Sequence, residues 1–316
     1  MSLHLDGSPI DISVIMPVYN VGEFLANALD TLLAQIDPPR FEIIICDDGS
    51  TDNTHDIIHQ YASAYPHLFV VVLATSNGGT SVNRNIGFAK AKGTYVTFVD
   101  GDDLVPKTAL RSLFNAASHY DVDVVKGNHL VFDEQTQRAC RQNVSRTQFI
   151  FGEEILRRFY KHDSFRGHTW GKLLRRDVFS RVQHEPGVRM AQDALFFAEA
   201  LGHAKSMVLI PEPVYEYRLR AGSTTQNKYE SNAYLWWLYS VDKSAKFART
   251  PQQRAAYATW QIRTFCQIAR EAHKLDHSKC SEVIQELSKR INTAQFTSVF
   301  TVLKTTHSAR WSVHFI

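Results

Sequence analysis

Phe41-Glu-Ile-Ile-Ile-Cys46-Asp47-Asp48-Gly49-Ser50 is the stretch that decides the fold. Six largely apolar residues, three of them β-branched isoleucines, run straight into two carboxylates and a glycine. Such a run suits a strand buried on both faces of a parallel sheet, and the polar turn marks its carboxyl end. Residues 12–16, 68–73 and 94–99 repeat the design, the last ending on Asp100-Gly101-Asp102-Asp103. Helical patterns lie between. Phe24, Ala28 and Leu32 recur at i, i+4, i+8 behind Asn20-x-x-Glu23, which reads as a capping box. Ile57, Ile58, Tyr61 and Ala62 mark a second helix ended by Pro66. Residues 82–91 form a third, with Gly93 as its C′ residue. The order β-α-β-α-β-α-β over roughly 11–135 predicts a Rossmann-like half whose ligand sits outside the strands' carboxyl ends.

The rest of the chain is less regular. Residues 136–226 read as irregular and carry Trp170, Gln192-Asp193 and the run Val214–Arg218. Tyr257, Trp260, Phe265, Ile268, Ala269 and Ala272 follow helical spacing, as do Phe296, Val299, Phe300 and Leu303. The expected organisation is one α/β domain at 1–226, divided into halves at 11–135 and 136–226, followed by a helical region at 227–316.

Composition narrows the class. The 316 residues are 44% hydrophobic and 21% charged, which excludes a disordered, collagen-like or small disulfide-rich protein. A net charge of +3 is too small to imply nucleic acid. The four cysteines form no C-x-x-C pair, so neither a zinc site nor a disulfide framework is expected, and Cys46 reads as a buried thiol. Residues 1–11 lack a basic n-region and an apolar h-region, and no apolar stretch approaches the ~20 residues of a membrane span. The expected location is the cytoplasm.

The two acidic clusters carry the chemistry. Adjacent parallel strands aim their carboxyl ends at one crevice, so Asp47-Asp48 and Asp100-x-Asp102-Asp103 should face it together. Crowded carboxylates repel one another unless a cation or a donor-rich ligand compensates. Asp100 and Asp102, two apart, share one side of an extended backbone. Oxygen ligands in this number suit a hard divalent ion that keeps positions open for phosphate. Other signals fail. His55-x-x-x-His59 lacks a glutamate base, Gly167–Lys172 is one residue short of a P-loop, and no G-x-G-x-x-G follows the first strand.

These residues also carry a resemblance. Pro17-Val-Tyr-Asn20, Asp47-Asp48-Gly-Ser-Thr-Asp52, Asn77-Gly-Gly, Arg84-Asn85-x-Gly87 and Asp100-x-Asp102-Asp103 occur in the order seen in family 2 glycosyltransferases. Trp170-Gly-Lys-Leu173, Gln192-Asp193-x-x-Phe196 and Val214-Tyr-x-Tyr-Arg218 with Gly222-Ser-Thr-Thr225 continue the likeness over roughly 10–226. The resemblance implies a GT-A-type mixed sheet with helices on both faces, and an inverting transferase that uses a nucleotide sugar, normally UDP-linked. It implies Mn²⁺ or Mg²⁺ on the diphosphate and a glycan or lipid-linked glycan as acceptor.

By the same resemblance, Asp48 accepts the imide N–H of the base, since a carboxylate selects an edge that presents a donor. Pro17 and Tyr19 line the base pocket, and Asn77 approaches the nucleotide. Arg84 either does the same or pairs with Asp47 or Asp48; its planar donor fork serves both. Asp100 supports ribose and metal, Asp102 ligates the metal, and Asp103 either joins them or bonds the following turn. Asp193 is the expected general base, or a helix cap, or both. The family usually has an acid immediately before it, where this chain has Gln192. His168 and Trp170 are expected to border the acceptor, with core packing the alternative for Trp170. Arg218, Arg220 and Ser223 are expected near the diphosphate.

Beyond Glu286 no acidic residue occurs, while Lys289, Arg290, Lys304 and Arg310 interleave with Phe296, Phe300, Trp311 and Phe315. This segment is either a basic amphipathic helix resting on the inner face of the cell membrane, or a helical subdomain or homo-oligomer contact. The function expected from the whole is sugar transfer, with a non-catalytic nucleotide-sugar-binding subunit as its alternative. A nucleotidyltransferase is disfavoured, because Pro17-Val-Tyr-Asn20 stands where that class has G-x-G-x-R.

Overall fold

The computed structural model describes residues 9–291 apart from 75–76, 134–138, 142–143, 162–167, 220–230 and 273. The first half follows the expected alternation: β1 (Ile12–Val18), α1 (Gly22–Leu33), β2 (Phe41–Asp47), α2 (Thr54–Ala64), β3 (Phe69–Leu73), α3 (Thr80–Lys90) and β4 (Tyr95–Phe98). These strands pair in parallel in the order β3-β2-β1-β4. Every residue of β1, β2 and β4 is buried, which is why their sequences are nearly unbroken apolar runs.

After α4 (Ala109–Tyr120) the sheet becomes mixed. It continues through β5 (Val124–Asp133), β6 (Ala139–Arg141), β7 (Gln148–Phe151), α5 (Glu153–Lys161), β8 (Lys172–Arg175), α6 (Gln192–His203) and β9 (Ser206–Leu219). The path runs on from β4 as β8-β5-β9-β7, with β8 antiparallel to both neighbours and β6 added on β5. The stretch that reads as irregular is therefore built of strands and helices. Its strands were hidden because β8 has four residues and β9 carries Pro211 and Pro213, residues that argue against an interior strand. The pairing of β9 with β5 shifts register opposite them.

Helices cover both faces. α1, α2 and α4 pack on one side of the sheet, and α3, α5 and α6 on the other. The C-terminal helices α7 (Ser231–Ser244), α8 (Pro251–Ala272) and α9 (His277–Ser288) extend this second core, where Tyr160 of α5 meets Tyr257 and Trp260 of α8. No described helix is long and apolar enough to cross a membrane. The basic segment after Ile291 lies outside the described residues.

Two local expectations change. Asn20 does not cap α1: its own backbone is left-handed (φ 49°), and the N-cap is Val21, with no side-chain cap bond. The first N–H groups are instead met at the neighbouring β2–α2 junction, Val21 N by Thr54 Oγ1 at 2.9 Å and Gly22 N by Asp52 Oδ2 at 3.0 Å. Gly93 is not the C′ residue either, since α3 ends at Lys90 with Ala91 as its C-cap. Glycine is required there by close approach: a Cβ on Gly93 would stand 2.5 Å from the Ser13 nitrogen.

Candidate active site

The site begins at the end of β2. Gly49 turns the chain with φ 77°, a conformation that side chains oppose. Asp47 closes this turn, its Oδ1 accepting from Ser50 N at 3.0 Å and Ser50 Oγ at 2.6 Å. Asp48 points elsewhere. Its two oxygens accept the backbone N–H groups of Gly78 and Gly79 at 2.8 and 2.9 Å, tying it to the start of α3. A carboxylate offers about four acceptor positions, so each oxygen keeps one for a ligand. Asn77 is exposed beside this turn, Pro17 is buried in β1, and Tyr19 stands 46% exposed at the end of the strand. The β2 and β4 ends flank β1 and so lie about 10 Å apart, two inter-strand spacings.

Helix α3 delivers Arg84 into the crevice. The guanidinium is almost fully buried and does not pair with Asp47 or Asp48. Its Nη1 donates to Asp193 Oδ1 at 2.7 Å and its Nη2 to Asp100 Oδ1 at 3.0 Å. One planar fork thus joins the end of β4 to the start of α6, a geometry lysine cannot reproduce. Asp193 lies inside the first turn of α6, behind an Ala191 N-cap, and is not itself the cap. That position favours its negative charge. Gln192, in place of the family's acid, accepts a hydrogen bond from Ser81 of α3.

The three aspartates after β4 have divided roles. Asp103 is buried and structural: it accepts from the Tyr215 hydroxyl at 2.6 Å and from Arg218 N at 2.7 Å, anchoring β9. The Tyr215 oxygen in turn accepts the Asp100 N–H at 3.1 Å. Burial, reinforced by Asp102 and Asp100, pushes the Asp103 carboxyl well above the usual carboxylate range. Burial also raises Asp100; Arg84 pulls it back, while Asp102 and Asp193 push it up again. Asp100 has one oxygen on Arg84, and Asp102 is half-buried at the mouth of the loop. Among the described residues no three acidic, histidine or cysteine side chains gather as a cation cage. One or two carboxylates with room for phosphate oxygens is nonetheless the donor set that suits Mg²⁺-like ions on a nucleotide.

The remaining expected residues fall into place less uniformly. Trp170 is buried, with its ring stacked between His168 at 4.4 Å and Tyr215 at 4.5 Å, so it is core; half-buried His168 forms the outer layer. Lys172 fixes this segment by donating to the carbonyls of His168 and Trp170 over the Phe197 ring. Burial, with Lys126 beside it, pushes the Lys172 ammonium well below its usual value. Arg218 is inserted between the rings of Phe24 and Phe132, and its Nε donates to the Asp102 carbonyl at 2.9 Å, so it braces the aspartate loop. Arg220 and Ser223 lie outside the described residues.

Two contributors escaped the sequence reading. Tyr215 sits within the Val214–Arg218 run and joins Asp100 to Asp103. His184 carries no motif at all. Asn85 exchanges two 2.8 Å hydrogen bonds with the His184 backbone, and the His184 ring stacks on Phe196 at 4.0 Å. Both ring nitrogens are buried without a hydrogen-bond partner among the described residues, as is Arg84 Nε. Burial and nearby Arg84 push the imidazole well below its usual value.

The sequence profile of Glycosyl transferase family 2 matches residues 13–183, more than half of the chain. This chain is a family 2 glycosyltransferase. Glycosyltransferase GlyG of Streptococcus pneumoniae serotype 4 is 30% identical over 228 residues, covering 69% of this chain and 74% of GlyG. Among solved structures, residues 1–349 of S. aureus TarS in complex with UDP-GlcNAc superpose with a TM-score of 0.65 at 18% identity, covering 96% of this chain and 93% of that one. The mannosyltransferase PcManGT of Pyrobaculum calidifontis, in complex with GDP-Man and Mn²⁺, gives a TM-score of 0.58 at 17% identity, covering 95% and 89%. At these identities the two structures support the GT-A fold of the family 2 glycosyltransferase and nothing finer.

Proposed function

We propose that this glycosyltransferase moves one sugar from a nucleotide diphosphate sugar, UDP-linked, to a glycan or lipid-linked glycan, with inversion at the anomeric carbon. The observation that carries the reading is the Arg84 fork, which brings Asp193 and Asp100 onto one guanidinium although 93 residues separate them in sequence. Asp48 and Asn77, with Tyr19 over the crevice, receive the base, the imide N–H taking a remaining lone pair of Asp48. Asp102 and the outer oxygen of Asp100 are the residues that would hold Mn²⁺ or Mg²⁺; Asp103 is set apart because its carboxyl is buried beneath the loop against Tyr215 and Arg218. When bound there, such an ion offsets the charge of the leaving diphosphate.

Asp193 serves as general base. Its Oδ1 is held by Arg84, which orients the carboxylate and leaves Oδ2 to take the acceptor hydroxyl's proton. As that proton passes to Asp193, the acceptor oxygen bonds to the anomeric carbon on the side opposite the diphosphate. The bond between that carbon and the diphosphate oxygen breaks, and the centre is inverted. Asp193→Asn is the test. Turnover, read as UDP release in the presence of acceptor, should fall by about 10²–10⁴-fold, while UDP binding with Mn²⁺ is retained. Wild-type turnover in that variant would refute the assignment.

A further inference from the structure

The Arg84 fork draws on three elements, and one residue outside them touches all three. Arg84 comes from α3, Asp100 from the end of β4 and Asp193 from the first turn of α6. Arg84 Nε has no hydrogen-bond partner among the described residues, so the guanidinium is held through its two Nη groups. Its plane therefore follows the two carboxylates, and their places depend on how α6 and β4 pack against α3. His184, 1% exposed, lies in the connection between β8 and α6. Toward α3 it is tied to Asn85, the residue after Arg84: Asn85 Nδ2 donates to His184 O and Asn85 Oδ1 accepts from His184 N, both at 2.8 Å. Toward α6 its ring lies parallel to Phe196, with centroids 4.0 Å apart and planes 4° apart. Phe196 is about one helical turn beyond Asp193. Toward β4 the ring meets Phe98 edge-on, at 5.6 Å and 86°, two residues before Asp100. Phe98 and Phe196 also meet edge to face at 6.2 Å, which closes a set of three rings.

None of these contacts uses a ring nitrogen. Both nitrogens are buried without a partner among the described residues, so the packing uses the ring for its flat shape. A close-packed interior passes a change in the thickness of such a plate to the elements on either side of it. The sensitivity is high at a reacting centre, where a displacement of about 1 Å can cost about 10²-fold in rate. We propose that His184 is a positioning residue for the transfer: a plate between α6 and β4, tied to α3 by Asn85, that sets the spacing at which Arg84 holds Asp193. The proposal rests on the general-base reading of Asp193, and its test separates the two.

NMR of the Arg84 side chain in the full chain reads that spacing directly, its signals being those absent from Arg84→Lys. A guanidinium gripped through both Nη groups rotates slowly about its C–N bonds, so the wild type should give separate Nη signals. His184→Leu, apolar and of similar volume but not flat, should merge or shift them. Turnover, read as UDP release, should fall tenfold or more in this variant, with affinity for UDP and Mn²⁺ changed less than twofold. His184→Phe restores the plate and should return both the signals and turnover to within twofold of the wild type. Asn85→Ala, which cuts the tie to α3 and leaves the ring stack, should act in the same direction as His184→Leu and carries the test if that variant does not fold. Unchanged Arg84 signals in these two variants, or failure of His184→Phe to restore signals and turnover, would overturn the proposal. Turnover retained by Asp193→Asn would instead refute the base and leave the placement of the fork to stand on the NMR result.

Discussion

The two halves of the sheet reach the same crevice by different means. In residues 11–135 the acids follow their own strands: Asp48 comes directly after β2, Asp100 and Asp102 come just after β4, and the topology of a parallel sheet puts those ends side by side. In residues 136–226 position is set from far away. Asp193 is placed by Arg84 across 109 residues, and Tyr215 by Asp103 across 112. One half is positioned by periodicity, the other by buried polar contacts. The first should therefore tolerate loss of a single contact, and the second should not.

Arg84→Met tests that contrast most severely. It removes the cation between two carboxylates and leaves them facing each other, so stability should fall by about 3 kcal/mol, at the low end for a broken buried pair because both acids are partly exposed. Urea denaturation measures this, and an unchanged midpoint would show that the fork does not hold the halves together. Tyr215→Phe should cost less, about 2 kcal/mol, since it strips Asp103 of one of two donors while the stack on Trp170 persists. Activity should drop with it as the Asp102 loop loosens, and a stable variant with wild-type turnover would sever β9 from the site.

His184 supplies the pH-dependent test. Its imidazole is held below the ordinary 6.5, so in the range just under that value the unfolded chain takes up a proton that the folded chain refuses. Stability from this group is full above pH 6.5 and declines as pH falls, by up to about 1.4 kcal/mol per unit. His184→Phe, which keeps the aromatic packing against Phe98 and Phe196, should flatten the decline between pH 6.5 and 5. An identical slope in both proteins would mean that the ring is protonated when folded. The smallest effect belongs to the periodic half. Asp52→Ala removes the acceptor for Gly22 N at the start of α1 and should lower stability by about 1 kcal/mol without altering turnover. A loss of turnover there would show that the first half is less modular than its sequence pattern.

The same contrast explains what could be read beforehand. The alternation of β1 to β4 and the acids at their ends were legible because strand burial and strand ends write themselves into adjacent residues. The two errors in that half, at Asn20 and Gly93, were assignments of a local role where a contact with a distant segment decides the residue: the turn after β2 for Asn20 and β1 for Gly93. β9 was illegible because Pro211 and Pro213 interrupt it, and Trp170 was ambiguous because a ring's neighbours are not in its own sequence. Arg84 was seen as a planar donor fork, but which carboxylates fill that fork depends on where α6 packs. His184 left no trace, since a histidine buried between Phe98 and Phe196 looks in sequence like any other histidine in a loop.

The central claim is that the acids ending β2 and β4 form one donor site. Thermal unfolding with UDP, GDP, dTDP and CDP, each with and without Mn²⁺, tests it most directly. A nucleotide at one hundred times its Kd adds about 2.7 kcal/mol to the folded state. The account predicts a rise with UDP that requires Mn²⁺ and disappears in Asp102→Asn. No shift with any of the four nucleotides, or a UDP shift indifferent to both Mn²⁺ and Asp102, would contradict it.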